Sequence, residues 1–531
     1  MNERPILKNK FYLYLTEFFS GVSVMAVELG ASRLLAPYFS SSQIVWTIII
    51  GTIMIAMALG NVWGGRAADK NPDPDRLYRR LIIAAIWIAA IPVLGKYVIL
   101  GISGALVLTI STNFLILAAF LACMVIFVFP LFLLGTVTPS LVKYTVDSLD
   151  DSGRTVGTLG AANTIGSILG TFLPTFVTIP AVGTAVTFLL FSGILLLIGL
   201  VYFLSARRKK ALCLVSLLLF LLCSVCGHSG SFAFWEEDLA YEGESVYNYL
   251  QVKEDDERIV LSTNVLFGVQ SVKMKSDSLT GMYYDYALAA PVMASVAERG
   301  GSVLVLGNGT GTYATQCERY FDGVRVEGVE IDEKITALAQ DYFDLPESVD
   351  VTTYDGRAYL QAIDGQYDVI LVDAYQDITI PFQMSTVEFF TLVKEHLTEN
   401  GVMVVNMNMR SDGEGSINEY LADTIASVFD YVCTADVARN TNRELFAAGF
   451  DVAAALEEKR EDVADGELRA MMDTVAGALT PYQGGDRLLT DDKAPVELLG
   501  MRAIDGLIQS ELGYYKTLFR EEGLAGLLNG F

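Results

Sequence analysis

The chain has 531 residues, 52% of them hydrophobic, with 62 acidic against 37 basic side chains and a formal net charge of −25. Such a balance, with no basic patch to neutralise a phosphate backbone, argues against a nucleic-acid partner. Two histidines, His228 and His396, argue against a histidine-rich metal site or a Ser-His-Asp triad, and six scattered cysteines argue against a disulfide framework.

Charge divides the chain in two. Residues 1–234 carry 9 acidic and 16 basic side chains, whereas residues 235–531 carry 53 and 21. A hydrocarbon layer of about 30 Å takes about 20 apolar residues of helix to cross. Runs of that kind lie near 11–35, 43–63, 80–100, 114–138, 156–180, 184–205 and 211–227. They predict a multi-pass α-helical membrane domain over 1–234, with about seven spans, a lipid bilayer as its partner and the cell membrane as its location. The first run has no small-residue cleavage site before polar sequence and reads as an anchor. Lysines and arginines cluster at 66–80, at 143–154 and at 207–210, alternating with uncharged loops, which puts the N-terminus inside. The run 211–227 is the shortest, and the side on which the acidic part lies depends on whether it crosses.

Three features of this half have bland readings. Gly166 and Gly170 sit four apart in "GTLGAANTIGSILG" and predict close helix packing. Glu17 and Glu28 fall within the first run, where placement near the interface and a local pair of Glu28 with Arg33 are expected over the alternative of a substrate or ion pathway. Cys223 and Cys226 read as packing residues at a helix end. The basic loop "GGRAADKNPDPDR" resembles the loop between the second and third helices of major-facilitator transporters.

The acidic half begins with a linker and a small antiparallel β unit (235–300), read from "SVYNYLQV", "RIVLSTN" and "GVQSVKM". From 301 to 450 the apolar runs VLVL (303–306), VEGVE (326–330), VDVTT (349–353), VILVD (369–373) and VMVVN (402–406) alternate with helical stretches. That alternation predicts a doubly wound parallel sheet of Rossmann-like α/β type, which binds ligands at the carboxyl ends of its strands. Residues 451–531 read as a C-terminal helical extension.

The first run opens into "GNGTGT", with glycines at 307, 309 and 311. Bare backbone there lets a ligand approach a helix N-terminus, a device that dinucleotide-binding folds also use. Glu330 ends the second strand, placed to accept hydrogen bonds from both hydroxyls of a ribose. Asp355 and Gly356 end the third, within reach of an adenine amino group, and Asp373 ends the fourth, where the reacting part of the ligand lies. Two further acids along the strand ends suit a cationic adenosyl sulfonium better than a nicotinamide.

With "SVYNYLQV", "GVQSV", "YYDYALAAP", "VLVLGNGTGT", "GVEIDEKI", "YDGRAYL", "YDVILVDAY" and "LTDDKAPVE" in order, residues 245–450 resemble spermidine synthases. With the apolar half attached, the whole chain resembles bacterial fused transporter-like/spermidine synthase membrane proteins. The resemblance implies a class I methyltransferase-like fold of spermidine synthase type and an aminopropyltransferase activity. The co-substrate it implies is decarboxylated S-adenosylmethionine, with no metal and no further cofactor, and a polyamine is the other small-molecule partner. A homodimer is compatible with it. Carried over by position, Gln270, Gly307, Gly309, Gly311, Glu330, Asp355 and Gly356 bind the donor, and Asp373 is catalytic. Tyr284, Asp285 and Asp377 are candidates for the acceptor amine. The chain departs from the family at Thr310, where an acid is usual, and at Leu279-Thr280, where an acidic pair is usual.

The chemistry gives Asp373 its role. An alkyl amine is mostly protonated at pH 7, and attack on the carbon beside a sulfonium needs it neutral, so a carboxylate that orients the amine and takes its proton serves both needs. Three functions fit these residues: aminopropyl transfer to putrescine or a related amine with release of methylthioadenosine, methyl transfer from S-adenosylmethionine, and non-catalytic polyamine binding by a transporter or sensor.

Overall fold

The computed structural model describes the chain except residues 1–4, 40, 110–112, 146–151, 229–230, 237–238, 266–268, 297–299, 375–379, 409 and 508–531. It divides into a unit of residues 1–237 with 243–249 and a unit of residues 238–242 with 250–531.

The first unit is helical: α1 (Lys10–Phe39), α2 (Gln43–Lys70), α3 (Pro74–Thr109), α4 (Phe114–Gly135), α5 (Val137–Thr145), α6 (Ser152–Leu173), α7 (Ile179–Ser205) and α8 (Lys210–Gly227). Local chemistry sets several ends. The Ser42 hydroxyl accepts from the Val45 N–H to start α2. Pro72 follows its last turn, and Pro74 then opens α3 at the one helical position that loses nothing by lacking an N–H.

Among the described residues, six helices are long and apolar enough to cross a membrane, against the expected seven. The difference lies in residues 152–205, where α6, a π-helical turn at 174–178 and α7 run on as one helical stretch interrupted at Gly183 (φ 79°, ψ 168°). Gly166 and Gly170 do pack closely, since an added Cβ at either would strike the backbone carbonyl of Phe18 or Val22 on α1. Glu17 lies inside the helical unit. It is fully buried, and its Oε1 accepts from the Thr138 hydroxyl (2.6 Å) and the Asn163 amide (2.9 Å), so α1, α5 and α6 share a polar contact.

A four-stranded sheet follows along the chain, β1 (Leu239–Glu244), β2 (Tyr249–Glu254), β3 (Arg258–Ser262) and β4 (Ser271–Met274), in that order, with β2, β3 and β4 antiparallel. Two short helices follow, α9 (Tyr283–Ala287) and α10 (Ala289–Met293). The main domain then alternates β5 (Ser302–Leu306), α11 (Thr312–Tyr320), β6 (Arg325–Glu330), α12 (Glu333–Tyr342), β7 (Asp350–Thr353), α13 (Gly356–Ala362), β8 (Tyr367–Val372), α14 (Val387–Glu395) and β9 (Leu397–Met407). It closes with α15 (Ile417–Ala426), β10 (Tyr431–Asp436), β11 (Arg443–Ala448), α16 (Val452–Lys459), α17 (Gly466–Ala478) and β12 (Thr480–Pro481).

The main sheet has the order β12-β10-β11-β9-β8-β5-β6-β7. Its five strands from β9 to β7 are parallel, as expected, while β10, β11 and β12 add an antiparallel end. The segment expected as a helical extension therefore also supplies an edge strand. The central strands carry near-continuous apolar runs, 303–306, 369–372 and 402–405, because both faces are covered. Val303, Val305, Val369, Leu371, Val402 and Val404 face α9, α10, α11, α16 and α17, while Leu304, Leu306, Ile370, Val372, Met403 and Val405 face α13, α14 and α15. His396 ends α14, its ring bonded to the carbonyls of Leu392 and Ile363, which makes it a buried cap.

Candidate active site

Strand register brings the polar residues into one row. Leu306 pairs with Val372 and with Val329, and Val372 pairs with Val405, so one step further along these parallel strands Gly307, Glu330, Asp373 and Asn406 stand level. Glu330 pairs with Thr353 on one side, and Asn406 pairs with Glu444 on the other. Alternation along the strands sends Glu330, Asp373, Asn406 and Glu444 to the sheet face covered by α9 and α11. The chain order reverses between β5 and β8, so Gly307 and Asp373 flank the point where crossovers leave the sheet in opposite directions.

All three glycines of the turn after β5 are left-handed, with φ of 86°, 54° and 83° at Gly307, Gly309 and Gly311. Space is as restrictive as conformation at Gly307, where an added Cβ would lie 2.6 Å from the Asp373 carbonyl oxygen and 2.7 Å from the Ala374 Cα. The turn is anchored by the N–H groups of Gly307 and Asn308 on the Val329 carbonyl and by Gly309 N–H on Glu330 Oε2 (2.9 Å). Inside it, both side-chain amide atoms of Asn308 and the hydroxyl of Thr310 are buried with no hydrogen-bond partner among the described residues.

Glu330 accepts a second bond on Oε1 from the Asp332 N–H (3.0 Å). Burial nevertheless pushes its pKa up to about 7, against the downward pull of those two N–H groups. Asp373 follows β8 directly. Asn406 Nδ2 donates to its Oδ1 at 2.8 Å and the Tyr283 hydroxyl donates to its Oδ2 at 2.7 Å. The residue keeps a partly exposed edge, yet enough protein surrounds the carboxyl to push its pKa up to about 7, burial outweighing both donors. A base poised at that value suits proton transfer near neutrality.

The remaining candidates fall in different places. Asp355 caps α13, its Oδ1 accepting from the Ala358 N–H at 2.9 Å, and Gly356 opens that helix against Met384 and Leu306. The Tyr284 hydroxyl donates to the Gln270 carbonyl, which joins two of the expected residues. Its ring lies 3.9 Å, centroid to centroid, from that of Tyr283, the tyrosine that meets Asp373. Asp285 is fully buried and committed elsewhere. Its oxygens accept from the N–H groups of Thr280 and Gly281, the Thr280 hydroxyl and the Gln316 amide, so it closes the turn before α9. Asp377 lies outside the described residues.

Tyr283, Asn406 and Glu444 were missed from sequence. Asn406 had a visible signal, since it ends the apolar run VMVVN as Asp373 ends VILVD. Tyr283 is one residue from the tyrosine that was chosen, and a five-residue helix has too little periodicity to say which neighbour turns inward. Glu444 sits in "RELFAA" and gave none. Among the described residues there is no group of three or more His, Cys, Asp or Glu side chains placed to hold a metal ion.

Residues 283–437 match the family model described as the spermine/spermidine synthase domain. A probable polyamine aminopropyl transferase of Bifidobacterium longum is 55% identical over 347 residues, which is 62% of this chain and 77% of that one. The polyamine aminopropyltransferase of Vibrio vulnificus is 25% identical over 303 residues, covering 54% of this chain and 98% of its own. Among solved structures, a probable spermidine synthase from Corynebacterium glutamicum superposes with a TM-score of 0.36 at 19% identity, over 47% of this chain and 98% of that one.

Proposed function

The chain belongs to the polyamine aminopropyltransferase family, and on that premise we propose that it is membrane-anchored and moves an aminopropyl group from decarboxylated S-adenosylmethionine to putrescine or a related amine, releasing methylthioadenosine. The observation that carries this reading is the carboxyl of Asp373, held by Asn406 and Tyr283 in the same row as Glu330, with the glycine turn between them.

In this reading Glu330 takes the ribose hydroxyls, the N–H groups at the start of α11 and the bare glycines seat the rest of the nucleoside, and Asp355 and Gly356 border the adenine. Asp373 fixes the amine in line with the carbon beside the sulfonium. The nitrogen lone pair forms the new C–N bond, the C–S pair leaves with methylthioadenosine, and Asp373 takes the amine proton. Its pKa of about 7 leaves a large share of the carboxyl ionised at neutral pH to do so. The apolar helices of the first unit supply the anchor.

Purified full-length chain incubated with decarboxylated S-adenosylmethionine and putrescine should release methylthioadenosine. Asp373→Asn should lower kcat by about 100-fold or more, the usual range for general-base assistance, while methylthioadenosine still binds. Release of adenosylhomocysteine from S-adenosylmethionine instead would replace this reading with methyl transfer. The anchor is tested separately: an alkaline carbonate wash should leave the chain in the membrane pellet, and its release would refute the anchoring.

A further inference from the structure

The polar row does not end at Asp373. Glu444 stands two strands further on, on β11 opposite Asn406, and it is fully buried. Neither of its carboxyl oxygens has a hydrogen-bond partner among the described residues. Other buried acids of this unit are well supplied: Asp285 accepts four bonds, and Asp423 accepts from the Tyr482 hydroxyl and from the N–H groups of Gly485 and Arg487.

Nearby donors are already engaged. The Asn406 amide nitrogen serves Asp373, and its oxygen accepts from Asn442 (2.8 Å). Tyr284 and Tyr313, both close enough to feel the charge of Glu444, donate to the carbonyls of Gln270 and Ala287. A carboxyl taken out of water with nothing donating to it carries a desolvation cost that no contact offsets. Buried polar atoms almost always have partners, and an exception in the same row as Asp373 leaves a place for a donor that binds there. The missing partner has to be a donor, and beside a second carboxyl at Asp373 the donor best suited is a cation.

We propose that Glu444 holds the far ammonium of a diamine acceptor whose near amine is held at Asp373, an assignment that rests on the transferase reading above. Strands in a sheet lie about 4.8 Å apart, so the Asp373 and Glu444 backbones are separated by roughly 10 Å. An extended diamine with four or five carbons spans roughly 6 to 7.5 Å between nitrogens at ordinary bond lengths, which leaves room for a charge-assisted hydrogen bond at each end. Asn406 lies midway, so the acceptor chain crosses β9 with its two charges on the flanking strands. The donor occupies the opposite arm of the row, from Gly307 to Thr353.

The test compares putrescine with n-butylamine, which has the same chain and no second amine. Glu444→Gln should lower the putrescine-to-butylamine ratio of kcat/KM by about tenfold or more, through KM for putrescine. Glu444→Asp, which keeps the charge and withdraws it by one methylene, should shift preference from putrescine toward the five-carbon diamine several-fold. Equal losses on both amines in Glu444→Gln, or no change in chain-length preference in Glu444→Asp, would overturn the assignment, because a structural role moves neither ratio. Calorimetric titration of putrescine into protein loaded with methylthioadenosine separates the two readings. Glu444-dependent putrescine binding without any turnover of the donor sinks the transferase and leaves this site standing, whereas turnover that ignores Glu444 does the reverse.

Discussion

Replacing Tyr283 with phenylalanine removes one hydroxyl and little else. That hydroxyl donates to Asp373 Oδ2 over 2.7 Å, in a place where burial already presses the carboxyl toward its neutral form. A hydrogen bond to a charged group contributes about 1.5–3 kcal/mol, and one pKa unit corresponds to about 1.36 kcal/mol. Losing the bond should therefore raise the Asp373 pKa from about 7 by roughly one to two units. In the proposed reaction Asp373 is the base, so kcat/KM should rise with pH through this pKa and the variant's rising limb should move to higher pH. The ionised fraction at pH 7 falls from about half to between a tenth and a hundredth, a loss of roughly 5- to 50-fold in kcat/KM that should be largely recovered by about pH 9.5. Methylthioadenosine release at subsaturating putrescine, measured from pH 6 to 10, gives the profile. A variant limb that coincides with the wild-type limb would refute the reasoning, because the Tyr283 hydroxyl would then have no hold on the ionised acid.

Three further outcomes concern Glu330, Gly307 and Gly170. Glu330 has an ordinary pKa near 4.5 when unfolded and about 7 in the fold. Its protonation therefore supports the ligand-free protein at low pH, and that support is lost between about pH 4.5 and 7. The loss is on the order of 3 kcal/mol, and Glu330→Gln should gain Tm relative to wild type as the pH rises from 5 to 8; a constant difference would count against it. Gly307→Ala must combine a left-handed φ with a Cβ 2.6 Å from the Asp373 carbonyl oxygen, so methylthioadenosine binding followed by calorimetry should fall more than tenfold. Gly170→Leu should lower the thermal stability of the detergent-solubilised chain, because its side chain meets the Val22 carbonyl in the α1–α6 contact; an unchanged melting temperature would show that contact to be loose.

Much of the site was legible because it is local. An acid directly after a buried apolar strand has to emerge at the sheet's ligand edge, which placed Glu330 and Asp373 correctly on the rim. Alternate glycines between a strand and a helix announced the turn, and all three do take left-handed conformations. Asp285 shows where such reasoning stops. A conspicuous acid beside two tyrosines looked available for a substrate, but its environment is four donors from a turn and from α11, none of them predictable from its neighbours in sequence.

By itself, then, the sequence determined the division into an apolar helical unit and an acidic α/β unit, the five parallel strands, and the residues at the strand ends. These depend on composition, periodicity and steric rules that act over a few residues. Only the tertiary structure decided that β10 and β11 return antiparallel, that Asn406 and Glu444 continue the row begun by Glu330 and Asp373, and that the Tyr283 hydroxyl donates to Asp373. It also decided that Glu17 is buried among three helices. Each of these depends on register between segments distant in the chain, and a shift of one residue in any strand would send its side chains to the opposite face.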